Sequence, residues 1–216
     1  MATNPGIKNV VVLMFENRSY DNVLGAFFNG ITASLSNLDP KTNQPIAVWG
    51  SASDATTIPS TDPGEVFDDM AQQFLGLEDI APDPKSVWPS SGPLTPGPYG
   101  LMGGFVANYA MQKGNTANLA DVMHYYVPAL MPVTNYLAQT FMVCDSWFAS
   151  VPSQTFVNRL FLSAAAPGYD PLTHASFVND TDYLLSWGLG GQDLPTVFQM
   201  LDAADSASPG PNWKLY

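Results

Sequence analysis

Lys8-Asn9-Val10-Val11-Val12-Leu13-Met14-Phe15-Glu16-Asn17-Arg18-Ser19-Tyr20-Asp21 passes from six apolar residues directly into a carboxylate, an amide, an arginine and a hydroxyl. A continuous apolar run bounded by polar residues is the pattern of a strand buried on both faces of a parallel sheet. In open α/β sheets, ligands collect at the carboxyl ends of such strands. The pattern predicts a strand over residues 10–15, with Glu16 and Asn17 standing where a metal or catalytic group would stand. The chain has two arginines, Arg18 and Arg159, and each directly follows an asparagine.

Beyond this strand, Ser19 is placed to cap a short helix over residues 20–24 that Gly25 ends. Residues 29–64 are rich in Ser, Thr, Asn, Asp, Pro and Gly, and read as a long loop with little regular structure. Residues 65–75 have helical spacing, with Val66, Phe67, Met70, Phe74 and Leu75 on one side and Gly76 as the stop. A second irregular stretch covers residues 77–100, with six prolines falling between 80 and 100. Loops of this length in a compact domain are functional lids or disordered segments. Helices are predicted over 104–112, over 132–140 with Pro132 in the first turn, over 156–166 with Thr155 at the N-terminus, and over 196–204. Residues 141–144 read as a second buried strand ending at Asp145, and residues 213–216 as the start of another. Strands alternating with helices predict one α/β domain over residues 1–216, its central sheet mostly parallel and flanked by helices.

The length suffices for one domain with a substantial core. Apolar residues make up 46% of the chain and charged ones 12%, about half the usual share of roughly 25%. Nineteen acidic against seven basic residues give a net charge of −12, and the basic ones are scattered. No row of cations exists to neutralise phosphates, which argues against a nucleic-acid partner or an anionic membrane surface. An anionic substrate would need a metal or a few placed donors to supply positive charge. Cys144 is the single cysteine; it rules out an internal disulfide, and its neighbours Phe141 and Val143 predict a buried, inert thiol. No stretch approaches the roughly 18 apolar residues of a transmembrane helix. A basic segment followed by an apolar leader is also missing, so the expectation is an intracellular protein or one whose leader has been removed.

Glu16 and Asn17 supply two hard oxygen ligands, which suit Ca²⁺, Mg²⁺ or Mn²⁺ or, with a carboxylate majority, iron or zinc. The same two residues read equally as a solvated loop carboxylate and a turn former. Thr155 lies in Ser150-Val151-Pro152-Ser153-Gln154-Thr155-Phe156-Val157-Asn158-Arg159, at the inferred start of a helix. A hydroxyl there faces unsatisfied backbone N–H groups and the positive end of the dipole, a natural phosphate site. A plain N-cap would use the same hydroxyl at the same position. Asn158 and Arg159, one turn on, can donate to a phosphate, and Arg159 can equally be a structural ion-pair partner. His124, among Met123, Tyr125 and Tyr126, reads as a core or surface residue rather than a ligand, and His174, in a loop after Pro171, as solvent-facing. Glu65, in Asp62-Pro63-Gly64-Glu65, offers a further carboxylate, although a helix N-terminus attracts acidic residues anyway.

Taken together, these segments resemble a known family. Val-Val-Val-Leu-Met-Phe-Glu-Asn-Arg-Ser-Tyr-Asp-Asn-Val-Leu-Gly at 10–25 resembles the opening Glu-Asn-Arg-Ser-Phe-Asp signature of the bacterial and fungal phosphoesterase family. That family contains the non-specific phospholipases C and related acid phosphatases. Leu137, Ala138 and Phe141, then Cys144-Asp145-Ser146-Trp147-Phe148-Ala149-Ser150 and Thr155-Phe156-Val157-Asn158-Arg159-Leu160, are similar to its second block, whose usual form is Thr-x-Pro-Asn-Arg. Leu194-Pro195-Thr196-Val197-Phe198 and Trp213-Lys214-Leu215-Tyr216 look like its next two landmarks.

The resemblance implies an alkaline-phosphatase-like α/β fold and metal-dependent hydrolysis of phosphoric esters, with a phosphate ester, phospholipid included, as substrate. It implies that Glu16, Asn17 and Thr155 bind one divalent metal ion of unspecified identity. Thr155 would be the hydroxyl nucleophile, Asn158 would hold a phosphate oxygen, and Arg159 would contact substrate. Three features depart from the family. Val157 replaces the usual proline. Glu65 stands near Asp62-Pro63, where many phospholipases C carry a histidine. Family members also run on for hundreds of residues and supply a later pair of aspartates and further histidines, so the chain corresponds to the N-terminal half. The alternative expectation is a truncated, non-enzymatic remnant of the same fold with weak or no metal binding. Three protein oxygens fall short of the roughly six that hard divalent cations take. Residues 1–216 alone are therefore expected to bind metal weakly and turn over little substrate, with Asp145, Glu65 and His174 as the next candidate ligands.

Overall fold

The computed structural model describes residues 6, 9–16, 18–28, 35–52, 61–79, 92–112, 118–170, 172, 174–178, 193–204 and 213–216. Asn17 lies outside the described residues, as do residues 29–34, 53–60 and 80–91 of the two irregular stretches. A π-helical turn, Asp21–Gly25, comes first, followed by strands β1 (Ser36–Leu38) and β2 (Pro45–Ala47) and helices α1 (Phe67–Leu75) and α2 (Phe105–Met111). Two 3₁₀ turns, Leu119–Met123 and Pro128–Leu130, lead to α3 (Pro132–Thr140), α4 (Thr155–Ala164) and α5 (Val197–Ala204).

The packed core lies between α1 and α2. Phe67, Ala71 and Leu75 on α1 meet Val106, Ala107 and Tyr109 on α2, all of them buried. Gly76 ends α1 at φ 67°, a left-handed conformation that costs glycine least. A Cβ there would also lie 2.0 Å from the carbonyl oxygen of Gly100, so no side chain fits without backbone movement. The cap position of α2 is Gly104, which has no side chain to offer. Asn37 of β1 fills the role from a distance: its Oδ1 accepts from the N–H groups of Phe105 (2.8 Å) and Val106 (3.3 Å), and its Nδ2 donates to Met102 O at 3.1 Å. The hairpin is thereby fixed to the start of α2.

Between the helices lies a buried polar network. Asn108 Nδ2 donates to Asp69 Oδ1 and to Gln72 Oε1, both at 2.7 Å. Gln73 Nε2 donates to Asn108 Oδ1 (2.8 Å) and to Gly64 O (2.7 Å), and Gln112 Nε2 donates to Asp69 Oδ1 at 3.2 Å. A buried carboxylate is tolerated when donors surround it, and here the donors are the Asn108 and Gln112 amides with the Val66 backbone N–H.

The hairpin side of the core continues toward the start of the chain. Trp49 N–H donates to Met123 O (3.2 Å), Tyr125 N–H to Trp49 O (2.9 Å), and the Trp49 indole N–H to Ala120 O (2.7 Å). Asn22 then joins the same segment, its Nδ2 donating to His124 O at 2.7 Å and its carbonyl accepting from Tyr126 N–H at 2.8 Å. Ser19 Oγ accepts from Asn22 N–H at 3.1 Å, the capping contact expected of it. The Arg18 guanidinium stands 5.5 Å from the centre of the Tyr126 ring, within cation–π range.

The helices follow the sequence pattern within a residue or two. α5 opens with a reciprocal pair in which Thr196 N–H donates to Gln199 Oε1 and Gln199 N–H donates to Thr196 Oγ1. The strands do not follow it. Residues 10–15 form no strand, and their exposure runs from 47% at Met14 to 88% at Val11. Residues 141–144 and 213–216 are likewise not strands, and Cys144 is exposed rather than buried. Among the described residues the one sheet is the antiparallel β1–β2 pair, in register Ser36↔Ala47, Asn37↔Ile46 and Leu38↔Pro45. A helix closes its hydrogen bonds internally, whereas a strand needs neighbours on its edges and layers over its faces. The described segments supply neither to the three apolar runs. The β1–β2 hairpin itself lies inside the stretch read as loop; its turn is built by Asp39 Oδ1, which accepts from Lys41 N–H (2.7 Å) and Thr42 N–H (3.3 Å), with Asn43 at φ 56°.

Two consequences can be measured. Asn108→Ala removes donors from Asp69 and Gln72 inside the core, and is expected to lower unfolding free energy by about 2–4 kcal/mol in urea titration. In the hairpin, the Lys41 N–H bond lowers the Asp39 pKa most, joined by Thr42 and the Lys41 charge. A carboxyl whose folded pKa is depressed contributes stability above its unfolded value, near ~3.9, and loses it as pH falls through the folded value. The Lys41 and Thr42 amide resonances should therefore hold their folded positions through neutral pH and move only below the usual carboxylate range.

Candidate active site

α4 begins where the sequence placed a nucleophile. Gln154 is the cap residue, extended at φ −68° and ψ 172°, and Thr155 is the first helical residue. The capping position therefore falls one residue before Thr155, so the threonine is not the plain N-cap of this helix. Asn158 shapes the approach. Its Nδ2 donates to Val151 O (3.1 Å), Ser153 O (2.9 Å) and Gln154 O (3.1 Å), and its Oδ1 accepts from Val151 N–H at 3.2 Å. The amide binds the residues leading into the helix, and in this arrangement it is a loop-holding group rather than one aimed at a ligand. Val157, on the same helix, is fully buried.

The other candidate block reaches the same helix. Arg159 Nε donates to Glu16 Oε2 at 3.2 Å, and Arg159 Nη2 donates to Glu16 Oε1, closing a two-pronged ion pair. Residues four apart share a helix face, so Arg159 lies on the side that Thr155 opens, about 6 Å further along the axis. Glu16, Thr155 and Arg159 are thus brought to one side of α4. The pair is half-exposed, 50% at Arg159 and 36% at Glu16, so solvent screens it. The sequence carried a signal for this contact in its two Asn-Arg dipeptides, one beside Glu16 and one in α4.

The remaining candidates are more dispersed. Asp145 accepts from Ser146 Oγ at 3.1 Å. Partial burial, then the negative charges of Asp145 and Asp21, push the Tyr20 phenol above its ordinary pKa, so Asp145 acts on the segment that follows Glu16. Glu65 is exposed, two residues before α1. His124 stands edge-on between the Trp49 and Tyr126 rings, at 4.7 and 5.1 Å, consistent with a packing role. His174 is exposed at φ 57° and stacks on Tyr169. Among the described residues no three His, Cys, Asp or Glu side chains gather as a metal site would, so Glu16, Glu65, Asp145 and His174 do not form one cluster. Glu16 offers a carboxylate and Thr155 a hydroxyl, oxygen donors of the kind hard divalent ions take.

The model of the Phosphoesterase family matches residues 7–216. The chain belongs to the phosphoesterase family. Among its relatives, non-specific phospholipase C4 of Arabidopsis thaliana is 34% identical over 214 residues, covering 92% of this chain and 34% of the relative. Non-specific phospholipase C3 of the same plant is 34% identical over 213 residues, covering 91% and 34%. Non-specific phospholipase C5 is 33% identical over 208 residues, covering 92% and 35%. The chain thus spans about a third of the length of the curated relatives it matches. The matched family region takes in both the Glu16 and the Thr155 blocks.

Asn158→Ala tests the loop-holding contact. It removes three donations and one acceptance at once, and should cost about 1–3 kcal/mol. Hydrogen exchange at Val151 should accelerate more than exchange within α1 and α2.

Proposed function

We propose that the protein hydrolyses phosphoric esters, phospholipid headgroup esters among them, through Thr155 as nucleophile. The observation that carries this reading is the meeting of the two family blocks: Glu16 is held on the Thr155 side of α4 by Arg159. The phospholipase C names of its relatives support the substrate class. Thr155 Oγ1 would attack phosphorus, the ester oxygen would leave with the proton taken from the hydroxyl or from water, and water would then cleave the threonine ester. The N–H groups at the start of α4 and the dipole behind them favour the negative charge that gathers on the phosphoryl oxygens. Asn158 acts here as a positioning residue, fixing the loop that delivers Thr155. Glu16, Asn17 and Thr155 would hold one divalent ion, whose chemistry is to acidify the hydroxyl and offset phosphoryl charge.

We further infer that residues 10–15 and 141–144 are strands of a mostly parallel, alkaline-phosphatase-like sheet. Their uninterrupted apolar character supports this, as does the acidic residue that closes each run. A second reading, a domain of the same family with weak or no metal binding and no catalysis, is favoured by the lack of a clustered acidic ligand set among the described residues. Elemental analysis of the native protein separates the two, since stoichiometric divalent metal is expected only of the hydrolase.

In the native protein, Thr155→Ala is expected to abolish phosphodiester and phosphomonoester turnover, while Thr155→Ser keeps part of it. A residue serving the helix start alone would instead cost about 1 kcal/mol of stability with activity preserved. Rate and melting temperature measured on the three proteins distinguish these outcomes. Glu16→Ala should lose metal and activity together while its circular dichroism stays close to the parent.

A further inference from the structure

Both carboxylate oxygens of Glu16 receive a guanidinium N–H of Arg159, Oε2 from Nε at 3.2 Å and Oε1 from Nη2. A carboxylate and a phosphate present a similar pair of oxygens to such a fork, and a guanidinium takes either with two parallel bonds. The fork on α4 is thus filled by an anion of the chain itself. We propose that it is the seat of the substrate's phosphate: Arg159 receives two phosphate oxygens, and Glu16 occupies the fork only while no phosphate is there. Glu16 then competes with the substrate from within the chain and keeps the guanidinium in place until the phosphate takes it. The proposal rests on the reading of the protein as a phosphoric-ester hydrolase acting through Thr155, and no metal takes part in it.

A phosphate approaching this chain meets nineteen acidic residues and seven basic ones, so it binds only where a local cation offsets that repulsion. Of the other described cations, Arg18 lies over the Tyr126 ring, Lys41 sits in the β1–β2 turn, and Lys214 is exposed in the 213–216 segment. Arg159 is the one carried by α4. It follows Thr155 by four residues on the same helix face, about one turn along the axis. Helical side chains lean toward the N-terminus, here toward the turn that Thr155 opens, whose backbone N–H groups favour the same anion. The existing pair is half-exposed at Arg159 and about a third exposed at Glu16, and exposed pairs are weak enough to open. A phosphomonoester carries between one and two charges at neutral pH against the single charge of Glu16, so it can win the fork. Only the Glu16 side chain has to leave.

Phosphate affinity tests this without reference to turnover. Inorganic phosphate is titrated into the native protein, in buffer freed of divalent metal by a chelating resin, and binding is read by phosphorus NMR. Glu16→Gln is expected to bind phosphate about two- to five-fold more tightly than the parent, the range an exposed ion pair can supply. Arg159→Gln should bind it at least about five-fold more weakly, having lost charged hydrogen bonds. Arg159→Lys, which keeps the charge but loses the fork, should fall between the parent and Arg159→Gln, and guards against a glutamine variant that fails to fold. Adding Glu16→Gln to Arg159→Gln should restore nothing, because the competitor matters only while the fork exists. Glu78→Gln, at an exposed carboxylate after α1, is the charge-matched control and should change affinity far less. Equal tightening in Glu78→Gln, or a gain from Glu16→Gln that persists without Arg159, would reduce the effect to net charge and overturn the competition. Parent-like binding by Arg159→Gln would overturn the seat itself. The Thr155 reading fails separately, by full turnover in Thr155→Ala, which leaves these affinities where they are.

Discussion

The α1–α2 interface turns on the Asn108 amide. Its two donors and one acceptor are engaged at once with Asp69, Gln72 and Gln73, so neither helix can slide or rotate without stranding a buried polar group. An apolar interface would tolerate several registers, because Ala71, Val106 and their neighbours interact without direction. The directed bonds permit one. From α2 the order is passed on: Asn37 ties the hairpin to its first turn, Trp49 ties the hairpin to residues 120–125, and Asn22 ties those residues to the turn that follows Glu16. Glu16 thus owes its location to contacts made far from it, through a chain of backbone and amide bonds rather than through packing of its own apolar run.

Thr155 is located by different means. α4 carries its own determinants, a buried Val157 and the Asn158 clamp on the preceding loop, and it packs against α5. Glu16 and Thr155 thus belong to segments positioned by different contacts, and the Arg159 fork joins them. A screened, half-exposed ion pair is a modest bond. It sets proximity without fixing it rigidly.

The helices were legible because their signals are local. Pro132 opens α3, Gly76 stops α1, and the Thr196–Gln199 pair opens α5, all within a few residues of what they control. The three apolar runs, read as buried strands, are largely exposed and form no strand, because burial of a strand is a property of its neighbours and no described segment pairs with them. The β1–β2 hairpin was missed for the converse reason. Its strands have three residues each, too few to show alternation, and Asp39 and Asn43 look like loop formers whether or not strands flank them. Polar core residues were invisible to patterning: Asn37, Gln72 and Asn108 count as surface until their partners are known. At the site, Glu16, Thr155 and Arg159 stood out through their motifs. An ion-pair role for Arg159 was one of two readings left open, and its partner Glu16 and the loop-holding work of Asn158 needed coordinates.

Two of the exposed apolar runs end in an acidic residue, Glu16 after residues 10–15 and Asp145 after residues 141–144. The negative charge of Asp145 helps raise the pKa of Tyr20, four residues past Glu16, while the bodies of both runs face solvent. Hydrophobic burial does not place Glu16, since the apolar side chains before it remain exposed. Glu16 is held instead by the Arg159 fork, and the turn after it by the hydrogen bonds that dock residues 19–22. The chemistry-bearing ends can therefore be set independently of the sheet that would cover the apolar bodies, because hydrogen bonds and ion pairs act between particular atoms whereas burial needs whole surfaces. Glu16 therefore takes its place from the Arg159 fork and from the docking of residues 19–22, which leads back to the α1–α2 polar core, and not from burial of the apolar run before it.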